Sequence, residues 1–308
     1  MNILSAMSTR LLDPQAVQAQ MRRLGRTALP GSPIVPWLHA EIARRMAERL
    51  AIIRLQPRRI IEWSGALGGG GPLLRSAYPA AVRWIIEPQA ALVELSRRSE
   101  RAAWWTARRW TRPAVQVLGE GEPLPSEIEL LWANMVLHAV ADPPALIARW
   151  HEALAVDGFV MFSCFGPDTL AEIRASYRRA GWPTPGVDFV DMHDLGDMLV
   201  HAGFADPVMD QEQLTLTWPT PEALIAELRG LGGNVSPARC QGLRTPRWKG
   251  RLMQALDGLR GADGRLALRF EVVYGHAFKA PPKVRPQQDT KVSLDAMRAM
   301  VRRRRAPG

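Results

Sequence analysis

The residues whose types and spacing could do chemistry begin at Glu62. It follows the apolar pair Ile60-Ile61 and precedes Trp63-Ser64-Gly65-Ala66-Leu67-Gly68-Gly69-Gly70-Gly71. A buried strand that stops at an acid and turns through glycines lets backbone come close to a nucleotide-like ligand. Glu87 stands 25 residues after Glu62, behind Arg83-Trp84-Ile85-Ile86. An acid at the end of a second strand, about 20 residues past a glycine turn, is placed to hold a ribose diol. Each signal strengthens the other, yet a glycine-rich turn also serves as an ordinary loop and Glu87 could cap the helix behind it. The chain has no G-x-x-x-x-G-K-[ST] phosphate loop. Its six histidines show neither H-x-x-x-H nor H-x-x-E spacing on one helix, so no metal is expected.

These residues need elements to position them. Arg58 to Trp63, Arg83 to Glu87, Ala114 to Leu118, Ile128 to Ala133 and Phe159 to Ser163 are short apolar runs that predict five strands. Between them lie the helical segments Pro72 to Tyr78, Gln89 to Ser99 and Pro143 to Leu154. Strands alternating with helices imply an α/β fold with a parallel sheet and right-handed crossovers. Ahead of the first strand, Leu38, Ile42, Met46, Leu50 and Ile53 recur at helical spacing within Pro36 to Arg54, and Gln15 to Arg26 predicts a more exposed helix. Such helices serve either as a cover over a ligand site or as packing on a sheet edge. Behind the fifth strand the pattern changes. Thr169 to Arg179 reads as a helix with Asp168 as its N-cap, and Asp191-Met192-His193-Asp194 opens another that Gly203 ends. Strands at Asp206 to Trp218 and Arg265 to Ala277 enclose helices at Pro221 to Leu231 and Trp248 to Leu259, which predicts an antiparallel edge carrying a helical insert.

The 308 residues, 47% of them hydrophobic, suffice for one large domain or two small ones. The expected parts are a helical cover (1–56), a cofactor-type α/β core (57–165), a second half of the sheet with its insert (166–278) and a basic tail (279–308). No apolar run nears the roughly 18 residues that cross a bilayer, so no membrane association is expected. The first 29 residues lack an apolar signal region but are Arg-containing and acid-poor, which leaves a mitochondrial transit peptide open. Cys164 and Cys240 are too few for a disulfide framework and fit a reducing compartment, the cytoplasm. Of the net charge of +10, the stretch from Lys279 onward carries nine Lys/Arg against Asp289 and Asp295, or +7, leaving about +3 for the rest. A basic tail is a solvated extension or an attractor of acidic partners. Without a nucleic-acid motif, and with the eleven tryptophans (Trp104, Trp105 and Trp110 among them) read as packing, nucleic acid is not expected.

A resemblance becomes visible in the second half. Gly166-Pro167-Asp168-Thr169-Leu170, Asp191 to Asp197, Ala202 to Asp210, Leu214-Thr215-Leu216-Thr217 and Glu271 to Ala277 resemble the malonyl-acyl carrier protein O-methyltransferases of biotin synthesis. These are class I S-adenosylmethionine-dependent methyltransferases. The similarity runs from about Pro57 to Phe278. It implies a Rossmann-like, seven-stranded class I methyltransferase sheet with helices on both faces and an antiparallel last strand pair. The family's first loop reads like Asp-x-Gly-x-Gly-x-Gly, and the matched positions here are Glu62, Ser64, Ala66 and Gly68. A β-carbon penalises positive φ, so the two replaced glycines matter for the turn. The arginine-hydroxylase type of complex I assembly factor resembles this family too.

The resemblance implies methyl transfer from S-adenosyl-L-methionine to the carboxylate of an acidic acyl carrier protein substrate. Cofactor contacts are then implied for Glu62, Gly65, Gly68, Glu87, Glu120 and Asn134, the last near the methyl group. A carboxylate is already ionised near pH 7, so positioning takes the place of a general base. Arg174, His193 and His276 are the candidates to hold that substrate carboxylate, each with a plain surface role as the alternative. The alternative function is a catalytically weak or inactive relative that keeps the fold and binds a protein partner.

Overall fold

The computed structural model describes residues 12–26, 35–100, 115–240 and 242–281. The expectations for Trp104, Trp105 and Trp110, and for the tail beyond residue 281, lie outside the described residues. The strands are β1 (Arg59–Trp63), β2 (Val82–Glu87), β3 (Val115–Gly119), β4 (Ile128–Ala133), β5 (Leu154–Phe165), β6 (Phe204–Trp218) and β7 (Leu266–Lys279). The helices are α1 (Pro14–Arg26), α2 (Trp37–Leu50), α3 (Gly65–Gly68), α4 (Gly71–Ala77), α5 (Ala90–Glu100), α6 (Pro143–Ala153), α7 (Ala171–Arg179), α8 (Met192–His201), α9 (Pro221–Leu231) and α10 (Pro246–Asp257).

All seven strands join one sheet in the order β3-β2-β1-β4-β5-β7-β6. The first five run parallel, and β7 lies antiparallel between β5 and β6. The central strands are apolar on both sides because helices cover both faces. Neighbouring residues therefore go to opposite cores. Ile60, Leu130, Trp132 and Phe159 pack with α2, α7, α9 and α10, whereas Ile61, Leu131, Ala133 and Val160 pack with α6 and α8. The strand order reverses between β1 and β4. In open α/β sheets that switch point opens a crevice at the carboxyl ends of the strands, where ligands bind.

Helix α2 lies over this crevice with Leu38, Ile42, Met46 and Leu50 buried, the spacing the sequence predicts. One expected cap is corrected. The seventh helix starts at Ala171 behind Leu170, so Asp168 does not cap it. Glu271 of β7 draws that segment in instead: its carboxylate accepts from the Asp168 N–H at 2.7 Å, and its backbone exchanges hydrogen bonds with Thr169 Oγ1. Asp191 does cap α8, accepting from the His193 N–H at 2.8 Å.

Candidate active site

Three non-glycine residues with positive φ follow strands at the carboxyl edge: Ser64 (56°) after β1, Met135 (56°) after β4 and Leu170 (58°) after β5. Left-handed backbone in residues with a β-carbon persists only where the surroundings enforce it, and it gathers at functional sites. Ser64 is one of the two positions where the resemblance expects glycine. The other, Ala66, sits within the short helix α3 and pays no such penalty.

The structure brings Glu62, Gly65, Gly68, Glu87 and Asn134 together, but with their polar atoms turned inward. Glu62 is 1% exposed. Its carboxylate takes a hydrogen bond of 3.0 Å from Arg83, a fully buried guanidinium that also reaches Glu100 at 3.1 Å. Burial pushes the Glu62 carboxyl upward, with Arg83 opposing. Glu87 is 0% exposed and accepts from the Ala66 N–H at 2.7 Å and from Ser96 Oγ at 2.6 Å. Burial lifts its pKa to about 8 against the help of those two donors. Gly65 is needed for packing: a β-carbon there would press on Ile85 at 2.9 Å and Glu62 at 3.1 Å.

Asn134 does not face open space either. Its amide nitrogen donates to the carbonyls of His39 (2.8 Å) and Gly68 (2.6 Å), and its oxygen accepts from Ser163 Oγ at 2.7 Å. It thus ties the cover helix, the glycine turn and β5 together. His39 repeats the link from the other side, with Nδ1 at 3.1 Å from the Leu67 carbonyl. Desolvation lowers the His39 pKa to about 4, so the ring is neutral at physiological pH and Nδ1 donates. Glu120 is set apart from this cluster by its side chain, which pairs with Arg149 at 3.4 Å, although its N–H bonds the Glu87 carbonyl at 2.8 Å.

Whether these residues suit an adenosyl cofactor turns on one atom. Glu87 Oε2 is buried without a hydrogen-bond partner. As the neutral acid that burial favours, Glu87 would place its O–H on that oxygen, and a ribose hydroxyl, which both donates and accepts, can partner it in either protonation state. The donor set therefore fits the group in kind. Glu87 has no exposed surface here, and the 64–68 turn is bonded to it through the Ala66 N–H.

Next to this crevice a cavity of about 710 Å³ opens. His138 and Ala139, just past Asn134, and Phe165, at the end of β5, form its inner wall; α1, α7, α9 and α10 enclose the remainder. Its surface is mainly apolar. Arg174 belongs to the wall, half-buried, with its guanidinium donating to the Pro167 carbonyl. His193 and His276 are not part of it. His193 is exposed at the start of α8, and His276 lies within β7 against Phe278. Sequence reasoning missed Arg83 and the cavity wall contributed by α9 and α10.

A family model described as a methyltransferase domain matches residues 37–206. Among solved structures, the [4+2]-cyclase SpnF covers 89% of this chain and 100% of its own at a TM-score of 0.52 and 14% identity. The YcgJ protein of Bacillus subtilis covers 77% and 99% at a TM-score of 0.51 and 10% identity. These likenesses show the fold alone; the family model is what defines it as a methyltransferase domain. Sequence goes further. The malonyl-[acyl-carrier protein] O-methyltransferase of Gallionella capsiferriformans is 37% identical over 268 residues, covering 86% of this chain and 91% of the relative. That of Halorhodospira halophila is 33% identical, covering 96% and 100%. The chain belongs to the malonyl-[acyl-carrier protein] O-methyltransferase family.

Proposed function

We propose that this chain transfers a methyl group from S-adenosyl-L-methionine to the free carboxylate of malonyl-acyl carrier protein, as a step of biotin synthesis. The observation that carries the reading is the cavity beside the switch point: apolar, large enough for a substrate arm, and holding Arg174 in its wall. S-adenosyl-L-methionine, when bound, supplies the methyl group on a sulfonium. Glu87 would take its ribose and Glu62 lies next to the turn that would hold its other end.

The chain's own part is positioning. The malonyl carboxylate is ionised near neutral pH, so no base needs to remove a proton. Arg174 offers a charged donor for that carboxylate, fixed by its bond to Pro167 and by the half-buried wall around it. The apolar surroundings, Phe165 and Leu170 among them, keep water from the reacting carboxylate. A group that only needs holding in line gains its rate from orientation, which reaches about 7–11 kcal/mol in favourable cases.

Purified protein incubated with malonyl-acyl carrier protein and the methyl donor should yield a carrier one methyl ester heavier by mass spectrometry. Arg174→Ala should raise KM for the carrier at least tenfold, since charged hydrogen bonds contribute about 1.5–3 kcal/mol. Failure of the wild-type chain to methylate the carrier, together with failure to restore growth of a biotin-requiring strain that lacks this step, would overturn the reading.

A further inference from the structure

Arg174 is not alone at the cavity. Arg23, Arg229, Arg244 and Lys249 also line it, against a single acid, Glu222. These four are exposed, and none of them forms an ion pair among the described residues. Some arginines elsewhere, Arg45, Arg49, Arg149 and Arg269 among them, are matched to a carboxylate, whereas this group gathers on one cavity with one acid. Unmatched cations around an apolar cavity call for a ligand that brings its own negative charge. They lie at two depths: Arg174 half-buried, the other four at the solvent side. A ligand with one anionic end inside, a mainly neutral middle and a second anionic group at the mouth satisfies both.

The middle has requirements of its own. Trp248 Nε1 and Gln20 Oε1, both from residues of the wall, are buried without hydrogen-bond partners. One is a donor and the other an acceptor, the pair that an amide-containing chain would satisfy. A cavity of about 710 Å³ is sized for a ligand much larger than a three-carbon acyl group. Trp248 also carries the guanidinium of Arg244 over its ring, 4.1 Å from the centroid, so the orphan N–H and the outer cation belong to one turn of structure.

We propose that Arg244 and Lys249 grip the phosphate ester of the amide-bearing thiol arm that presents the acyl group, so that the chain reads the arm as well as the malonyl end. This rests on the carrier-methylating reading above and assigns the outer half of the same site. The arm's phosphate occurs as a monoester on the free arm and as a diester on a carrier protein, and both offer oxygens that cations lining the same cavity can hold.

Calorimetry separates this from methylation, because it reads binding and needs no turnover. Malonyl-phosphopantetheine should bind the wild-type chain at least tenfold more tightly than malonyl-pantetheine, which lacks the phosphate. Arg244→Ala/Lys249→Ala should abolish that difference while leaving affinity for malonyl-pantetheine unchanged. Arg244→Lys/Lys249→Arg, which keeps both charges, should retain it and guards against a loss caused by misfolding. Equal affinity of the wild-type chain for the two arms, or a preference that survives the double substitution, overturns the proposal. Malonyl-acyl carrier protein in a parallel titration shows whether the diester is held as well as the monoester. A wild-type chain that prefers the phosphorylated arm but methylates no carrier would overturn the function proposed above and leave this assignment standing.

Discussion

Glu87 makes the stability of this chain depend on pH in an unusual direction. Its carboxyl is raised from 4.5 to about 8 by burial, so the folded state favours the neutral acid. The stabilising contribution is complete below the unfolded pKa of 4.5 and disappears as pH climbs towards about 8. Urea unfolding at pH 5 and pH 8 should show the wild-type chain losing stability that Glu87→Gln retains; identical pH profiles for the two would rule the account out. Ser64 contributes strain of a different kind. Its φ of 56° suits glycine, so Ser64→Gly should stabilise by about 1 kcal/mol in thermal or chemical unfolding. Arg83 is the reverse case. Its guanidinium is the counter-charge of a buried Glu62, and removing one partner of a buried pair costs about 3–5 kcal/mol. Arg83→Ala should lose that much, and adding Glu62→Gln should recover a measurable part by relieving the bare carboxylate.

At the level of elements, Asn134 is what joins β4 to its surroundings. Replacing it by alanine strands the His39 and Gly68 carbonyls and should cost about 1–3 kcal/mol. Asn134→Asp should be worse, because a carboxylate offers those carbonyls no donor. Faster amide exchange in α2 than in α6 would mark the cover as the part released; uniform exchange would contradict a local tie. The strands were legible from sequence because short β-branched runs between turn residues have few other readings, and all seven lie within a few residues of where the patterns put them, except that β5 begins five residues earlier. The helical turn α3 (Gly65–Gly68) was not legible, since Gly65 and the glycine run that starts at Gly68 read as loop; Leu67, 4% exposed, is its buried anchor. Asp168 looked like a cap because its type suits one, and only β7, about a hundred residues away in sequence, revealed its real partner. Arg83 carried a usable signal. Ile60 pairs with Arg83, so Glu62 lies two residues along the neighbouring strand on the same face. An arginine and a glutamate at that diagonal, both inside apolar runs, announce a buried pair.

For the molecule as a whole, the cavity could not have been read in advance, because its walls come from segments as distant as Val17 and Leu256. No helix among the described residues is long and apolar enough to cross a membrane. The net charge of +10 should make association with an acidic carrier fall steeply with salt. Stopped-flow rates at low and high ionic strength check this, and a chain cut after residue 281, beyond the end of β7, should show the weaker dependence. The pairing of Trp218 with Leu266 closes the end of the β6–β7 ladder, so residues 219–265 leave the sheet and return to it at one point. The polypeptide between those two positions leaves and rejoins the sheet at adjacent residues, and Leu224 and Leu256 seat it on the shared core. The β6–β7 register is set outside this segment, so its wall of the chamber and its cations Arg229, Arg244 and Lys249 can be altered while the strands beneath stay paired. A change in what the chamber admits can then be confined to one segment, without renegotiating the seven-stranded sheet.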